Sequence, residues 1–137
     1  MPLDPVIAID TRSWLRKSAL DLRCAEADLA ASPPLFEDVL FHCQQAAEKA
    51  IKSFLMFHQR PFGKTHNLRE LSTSCLEIDP TLAPILERAF PLTIYAWKFR
   101  YPVDHEEPTT REVEDAWTIA REVFGSFLER LPNEVHP

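Results

Sequence analysis

Residues 41–55, FHCQQAAEKAIKSFL, combine the spacing of a helix with an unusual number of polar side chains. Apolar residues recur three and four positions apart, which predicts a helix with one buried face. Beside that face stand His42, Gln44, Gln45, Glu48 and Lys49. Such groups need either solvent or hydrogen-bonding partners. This stretch therefore indicates both a buried helix of the fold and a candidate functional site.

The same periodicity extends this helix over about residues 34–58 and recurs on either side of it. Residues 1–10 hold two prolines and no period, and are expected to be an extended lead-in. Thr11 or Ser13 is expected to cap a first helix that runs to about Ala31.

The remainder of the chain also predicts helices. Their expected bounds are 68–76 after Asn67, 80–90 after Asp79, 91–101, and a last helix from Thr109 or Thr110 to Leu131. Aromatic residues alternate along 91–101 as in a strand, but a lone strand would have no partner. The sequence therefore predicts an all-α fold, an antiparallel up-and-down bundle of four to five helices, as one domain over 1–137 with a core over about 12–131.

Composition narrows the classes of function. Only 2 of the 137 residues are glycine, and neither a dinucleotide-binding nor a P-loop fingerprint is present. The net charge of −6 argues against a protein that grips a nucleic-acid backbone over a large surface. No apolar run is long enough to span a membrane, and a cytoplasmic location is expected. The 3 cysteines are spaced for neither a zinc site nor a redox pair.

The polar residues of 41–55 fall on both sides of the apolar stripe. On a helical wheel the first polar face holds His42, Gln45, Lys49 and Lys52. Glu48 falls on the far side of the stripe. One interpretation is a solvated helix with Glu48 and Lys52 paired four residues apart. The other is a half-polar surface that packs against a second subunit.

Arg100 and His105 form the candidate catalytic pair. A histidine can move the proton of a ribose 2′-OH, and an arginine can stabilise charge on the phosphate, so the pair would suit metal-independent RNA cleavage. Pro102 interrupts the helix between them. The alternative is structural: Arg100 caps its own helix and pairs with Asp104.

His66, in KTHN, is the remaining candidate of the binding cluster. It is expected to be a turn residue or, together with Lys64, an anion contact at a helix N-terminus. The five histidines show no metal-ligand spacing such as HxxxH with a carboxylate, so no metal and no cofactor are expected.

Taken together, the segments WLRKSALDLRCAEADL, FEDVLFHCQQAAEKAIKSFLMFHQ, KTHNLREL, RYP and EVEDAWTIAREVFGSFLERL make the chain resemble the HEPN family, the higher eukaryotes and prokaryotes nucleotide-binding domain. The resemblance covers about residues 12–131. It implies a helical bundle that commonly dimerises, often paired with a minimal nucleotidyltransferase in a toxin–antitoxin-like system. It also implies that some members are metal-independent ribonucleases, whose motif is an arginine followed by four to six residues and a histidine.

Arg100 and His105 match that spacing, but Tyr101 stands where active members often carry a polar residue. Two hypotheses follow. The first is a HEPN partner of a nucleotidyltransferase, associated with RNA or a nucleotide and able to cleave RNA. The second is a non-catalytic module that binds a nucleotide or a protein. Under either, the polar groups of the second helix would lie at an interface or line a nucleotide pocket.

Overall fold

A computed structural model describes residues 2–102 and 106–137, and helices form its regular structure. Over these ranges the order is α1 (Pro5–Ala30), α2 (Phe36–Phe57), α3 (Leu68–Ile78), a 3₁₀ turn (Pro80–Leu82), α4 (Ala83–Ala89), a 3₁₀ segment (Phe90–Ala96), α5 (Thr110–Arg130) and a 3₁₀ turn (Asn133–Val135). The predicted all-α bundle is confirmed. In the part of the chain described, no helix combines the length and the apolar character that crossing a membrane requires.

Helix α2 lies at the centre of the bundle and packs against α1, α3 and α5. Its apolar stripe, which includes Leu40, Cys43, Ala47 and Ile51, is 0% exposed. Burying a side chain the size of leucine contributes roughly 1.5–3 kcal/mol, so this stripe is the main source of stability for the second helix. The periodicity of residues 41–55 therefore predicted the buried face correctly.

Helices α1 and α2 form an antiparallel hairpin around the Ser-Pro-Pro corner at 32–34. Contacts between the two helices join residues at similar, not identical, distances from the corner: the hydroxyl of Ser18 donates to the carbonyl of Ala46 at 2.7 Å. Because both groups are buried, this bond satisfies them and fixes the register of the hairpin.

Helix α5 closes the core and begins with a complete capping box. The side chain of Thr109 accepts from the backbone N–H of Glu112, and the Glu112 side chain accepts from that of Thr109. Farther along, the ring of Phe127 packs 5.1 Å from that of Phe54. Of the two caps expected from sequence, the structure selects Thr109.

The extended lead-in expected over residues 1–10 is wrong, because α1 begins at Pro5. The Asp4 side chain accepts from the backbone N–H of Val6 at 2.8 Å, and proline suits the first helical position, where its missing N–H costs nothing. Val6 and Ile9 are 65% and 57% exposed, so this turn of helix carries no buried-face period that sequence reasoning could detect.

The α-helix expected over residues 91–101 is also wrong in kind and in length. The chain forms a 3₁₀ segment that ends at Ala96, and irregular turns follow. Leu92 and Ala96 point inward, while Thr93 accepts from the backbone N–H of Leu68 at 3.1 Å. The segment is therefore held by its contact with the start of α3 and by its buried side chains.

Candidate functional site

The candidate polar residues of α2 lie in two separate networks, one toward α1 and one toward the connector before α3. His42 and Lys49 belong to the first. Gln45, Glu48 and Lys52 belong to the second, together with His66 from the connector. The helical wheel placed Lys52 on the same face as His42. In the structure the long Lys52 side chain extends instead toward the buried carboxylate of Glu48, one turn earlier.

The first network is built on Asp21 of α1, which is 6% exposed. One of its carboxylate oxygens lies 2.8 Å from Nδ1 of His42, and the other accepts from the ammonium group of Lys49 at 2.7 Å. The second ring nitrogen of His42, Nε2, lies 3.4 Å from the carboxylate of Asp38. His42 is thereby held between a buried carboxylate and an exposed one.

The second network is built on Glu48, which is 3% exposed. Its Oε2 accepts from Lys52 at 3.0 Å. Its Oε1 accepts from Gln44 at 3.1 Å and lies 2.7 Å from Nδ1 of His66. Gln45 extends the network, since its amide donates to the side-chain oxygen of Gln44 at 2.6 Å. Every one of these groups has a partner within the same chain.

This arrangement attaches the connector to α2. Gln44 donates to the backbone carbonyl of His66 at 3.2 Å, so both the main chain and the ring of that residue are held. Directly after it, the Asn67 side chain accepts from the backbone N–H of Glu70 and caps α3. The polar groups of the second helix thus position α3 rather than merely face solvent.

The ammonium group of Lys52 is enclosed by aromatic rings on its other sides. It lies 5.5 Å from the ring of Trp14 and 5.6 Å from that of Phe62, which contact each other edge to face at 5.7 Å. A buried lysine is stable only if its charge is compensated, and here a carboxylate and two ring faces compensate it.

Arg100 lies at the rim of an open cleft of about 530 Å³. Its guanidinium group lies 5.9 Å from the ring centre of Phe41, at the start of α2. The cleft is lined by Glu37, Asp38, Phe41, Tyr95, Phe99 and Arg100. It therefore combines one exposed guanidinium, three aromatic rings and two carboxylates.

The aromatic wall of the cleft is anchored to α5. The rings of Tyr95 and Phe99 stack at 6.1 Å with 12° between their planes. The hydroxyl of Tyr95 donates to Glu112 at 2.5 Å. Burial and this neighbouring carboxylate raise the pKa of the Tyr95 hydroxyl well above its ordinary value, so it remains a hydrogen-bond donor at neutral pH.

The other half of the candidate catalytic pair, His105, lies outside the described residues, as does Asp104. The distance between Arg100 and His105 therefore stays a prediction. What the structure does show is that the chain has left the helix before Arg100, so the helical-wheel separation of the two residues does not apply.

A pair of acidic side chains that the sequence analysis did not identify as a site lies beside the cleft. Asp28 of α1 and Asp38 of α2 meet across the hairpin corner, close to His42. Burial first, and then the neighbouring Asp38, raise the pKa of the Asp28 carboxyl to about 6, with His42 partly offsetting the shift. The two aspartates stand equally far from the corner at 33, and that symmetry was the available signal.

The buried thiols offer no chemistry here. Burial raises the pKa of Cys43 and of Cys75 to about 12, so both remain protonated at neutral pH. A protonated, inaccessible thiol is not a nucleophile. All three cysteines, including the partly exposed Cys24, are free.

Neither the curated proteins nor the solved structures that were searched contain a match. The family model described as HEPN domain, however, matches residues 11–131. That range takes in α2, the connector and the rim of the cleft. Because the match covers most of the chain, this helical, nucleotide- and RNA-related domain belongs to the HEPN family.

Proposed function

We propose that this HEPN protein acts on RNA or a nucleotide at the cleft beside Arg100, whose guanidinium group binds a phosphate. The observation that carries the proposal is the position of Arg100: exposed, at the rim of the cleft, with its guanidinium carbon 5.9 Å from the ring centre of Phe41. Guanidinium presents several N–H donors in a fixed fork that matches phosphate oxygens. Contact with an aromatic ring restricts the orientation of the guanidinium group without using its N–H donors.

Exposed aromatic side chains close to Arg100 in the sequence suit the bases of a single strand. Trp97 and Tyr101 are 52% and 68% exposed and flank Arg100 in sequence. Stacking of a base on such a ring contributes about 1–3 kcal/mol and needs no particular base. A nucleotide would therefore place its phosphate on Arg100 and its base against a ring.

The acidic side chains of the same cleft limit how strongly a polyanion can bind. Glu37 and Asp38 lie on its lining with a single arginine. A net charge of −6 adds no general attraction for a phosphate backbone. The proposal is accordingly a local contact with one or two nucleotides, not a long electrostatic groove.

In its catalytic form the proposal adds His105 as the acid or base. The imidazole would take the proton of a ribose 2′-OH, whose oxygen attacks the adjacent phosphorus, while Arg100 stabilises the charge that develops on the phosphate. The P–O5′ bond breaks, the 5′-oxygen leaves with the proton returned by the imidazolium or supplied by water, and the other fragment ends in a 2′,3′-cyclic phosphate. No metal is required for this step.

The experiment is RNA cleavage by the purified protein in EDTA, beside Arg100→Ala and His105→Ala variants of verified fold. Fragments ending in cyclic phosphate, absent with both variants, would support the ribonuclease. No cleavage, or equal cleavage by all three proteins, would overturn it. The second hypothesis, a non-catalytic nucleotide- or protein-binding module, would then hold, and Tyr101, Pro102 and the acidic cleft favour it already.

We propose two partners for the protein, a second copy of the chain and a minimal nucleotidyltransferase in a toxin–antitoxin-like pair. The family resemblance supports both. Exposed apolar side chains provide contact area, for instance Val6 and Ile9 on α1, at 65% and 57% exposure. Molar mass by light scattering tests the dimer, and co-purification with a co-expressed nucleotidyltransferase from the same locus tests the pair.

A further inference from the structure

Three potential metal ligands converge where the α1–α2 corner meets the cleft. One carboxylate oxygen each from Asp28 and Asp38 and one ring nitrogen of His42 lie within 4.8 Å of one another. Ligands around one ion at about 2.0–2.2 Å from it are separated by roughly 3–4 Å, so small side-chain adjustments would suffice. We propose that Asp28, Asp38 and His42 form a binding site for a divalent transition-metal ion.

The orientation of His42 supports this assignment. Its Nδ1 lies 2.8 Å from Asp21, whose other oxygen is fixed by Lys49. With Nδ1–H donating to that carboxylate, the lone pair of the neutral ring is on Nε2, the nitrogen that lies 3.4 Å from Asp38. A carboxylate behind a histidine in this way is the usual support of a metal-binding imidazole, since it fixes the tautomer and raises the basicity of the ligand.

An unpaired oxygen provides the independent observation. Oδ2 of Asp28 is shut off from solvent and receives no hydrogen bond from any described residue. Its neighbour Asp38 can share a hydrogen bond with it only while one of the two carboxyls is protonated, and the ion pairs of the described chain give neither carboxylate a lysine or arginine. A buried acceptor without a donor is costly. A cation between the two carboxylates would satisfy it, whereas Asp21 already has Lys49.

The donor set indicates the kind of ion. Two carboxylate oxygens and one imidazole nitrogen suit Mn²⁺, Fe²⁺, Co²⁺ or Zn²⁺, while Ca²⁺ prefers six to eight oxygens. Three protein ligands leave coordination positions for water or an anion, and Asp38 also lines the Arg100 cleft. The inference goes beyond the proposed function and does not depend on it, because RNA cleavage through Arg100 and His105 would proceed in EDTA.

The test is a titration of untagged, chelator-treated protein with Co²⁺ at pH 8, followed by visible absorption and calorimetry. The wild type is expected to bind one Co²⁺ per chain at this site. Asp28→Asn and His42→Gln are expected to weaken that binding at least tenfold. Glu26→Gln, on the exposed side of α1, changes the net charge by the same amount as Asp28→Asn and should bind as the wild type does.

Asp38→Asn keeps the test decisive if the Asp28 or His42 variant fails to fold. The Asp38 side chain is 52% exposed, so this change is expected to leave the fold intact and still to weaken Co²⁺ binding at least tenfold. Circular dichroism in EDTA verifies each fold. The proposal is overturned if the wild type shows no saturable binding, or if Asp38→Asn and the other folded ligand variants bind Co²⁺ as tightly as the wild type.

Discussion

The ring nitrogen Nδ1 of His66 lies 2.7 Å from a carboxylate oxygen of Glu48, so a half-exposed imidazole of the connector is held by a carboxylate buried in α2. This contact joins the two most distinctive stretches of the sequence, QQAAEK and KTHN. It explains why an otherwise apolar helix carries so many polar groups. The same carboxylate also compensates the buried ammonium of Lys52.

Replacing Glu48 by alanine is expected to destabilise the fold by about 3–5 kcal/mol, because it leaves the buried Lys52 without its carboxylate. Urea denaturation measures the change. Glu77→Ala is the matched control. Glu77 pairs with Arg60 at the surface, where its side chain is 59% exposed, and such pairs contribute about 0–1 kcal/mol. Equal losses for the two variants would contradict the structural role of Glu48.

Asp28→Asn is expected to change how stability depends on pH. Folding raises the pKa of Asp28 from 3.8 to about 6, so in this window the folded chain binds more protons at this carboxyl than the unfolded chain does. Its contribution to stability is therefore present at low pH and is lost as pH rises through the window. An asparagine cannot ionise, so the variant does not lose this contribution to stability as pH rises.

Melting temperatures in EDTA at pH 4.5 and pH 7.5 check this expectation. Relative to the wild type, Asp28→Asn should gain stability on going to the higher pH. Taking the difference between the two proteins removes the opposite trend of the ordinary carboxylates. A difference that stays constant with pH would show that Asp28 does not titrate as described.

The start of α5 supports the cleft wall through Glu112, and its cap can be tested separately. Thr109→Ala removes the acceptor for the Glu112 N–H and is expected to cost about 1 kcal/mol. Thr110→Ala, at the next position, should change stability by only a few tenths of a kcal/mol, within the ordinary range for an exposed site. Chemical denaturation compares the two, and a larger loss at Thr110 would mean that the helix begins elsewhere.

Sequence reasoning predicted the fold well where a buried face has a clear period. The stripe of α2 around Cys43 and Ile51 and the cap at Thr109 follow from local rules. The start of α1 did not, because Val6 is exposed and its turn is fixed by Asp4 and Pro5 rather than by burial. A sequence pattern reports burial, so it gives little signal at the start of a helix whose first turn is capped and only partly buried.

The site was less predictable, since its contacts join distant parts of the chain. Wheel angles gave the direction of Lys52 only coarsely and could not show that it bends toward Glu48. The contacts of Asp28 could not be predicted from a local pattern, because its partners Asp38 and His42 lie on another helix. Counting outward from the proline corner would have paired the aspartates, but only once the hairpin itself was known.

The binding of RNA at Arg100 is tested most directly by fluorescence anisotropy. The probe is a labelled, unstructured oligoribonucleotide with 2′-O-methyl groups, which cannot be cleaved, in EDTA at low salt. Arg100→Ala is compared with Arg111→Ala, which removes the same charge from a side chain that is 92% exposed on α5. The account predicts at least tenfold weaker binding for Arg100→Ala, about 1.4 kcal/mol, and a change within twofold for Arg111→Ala. Equal affinity of Arg100→Ala and the wild type would contradict it.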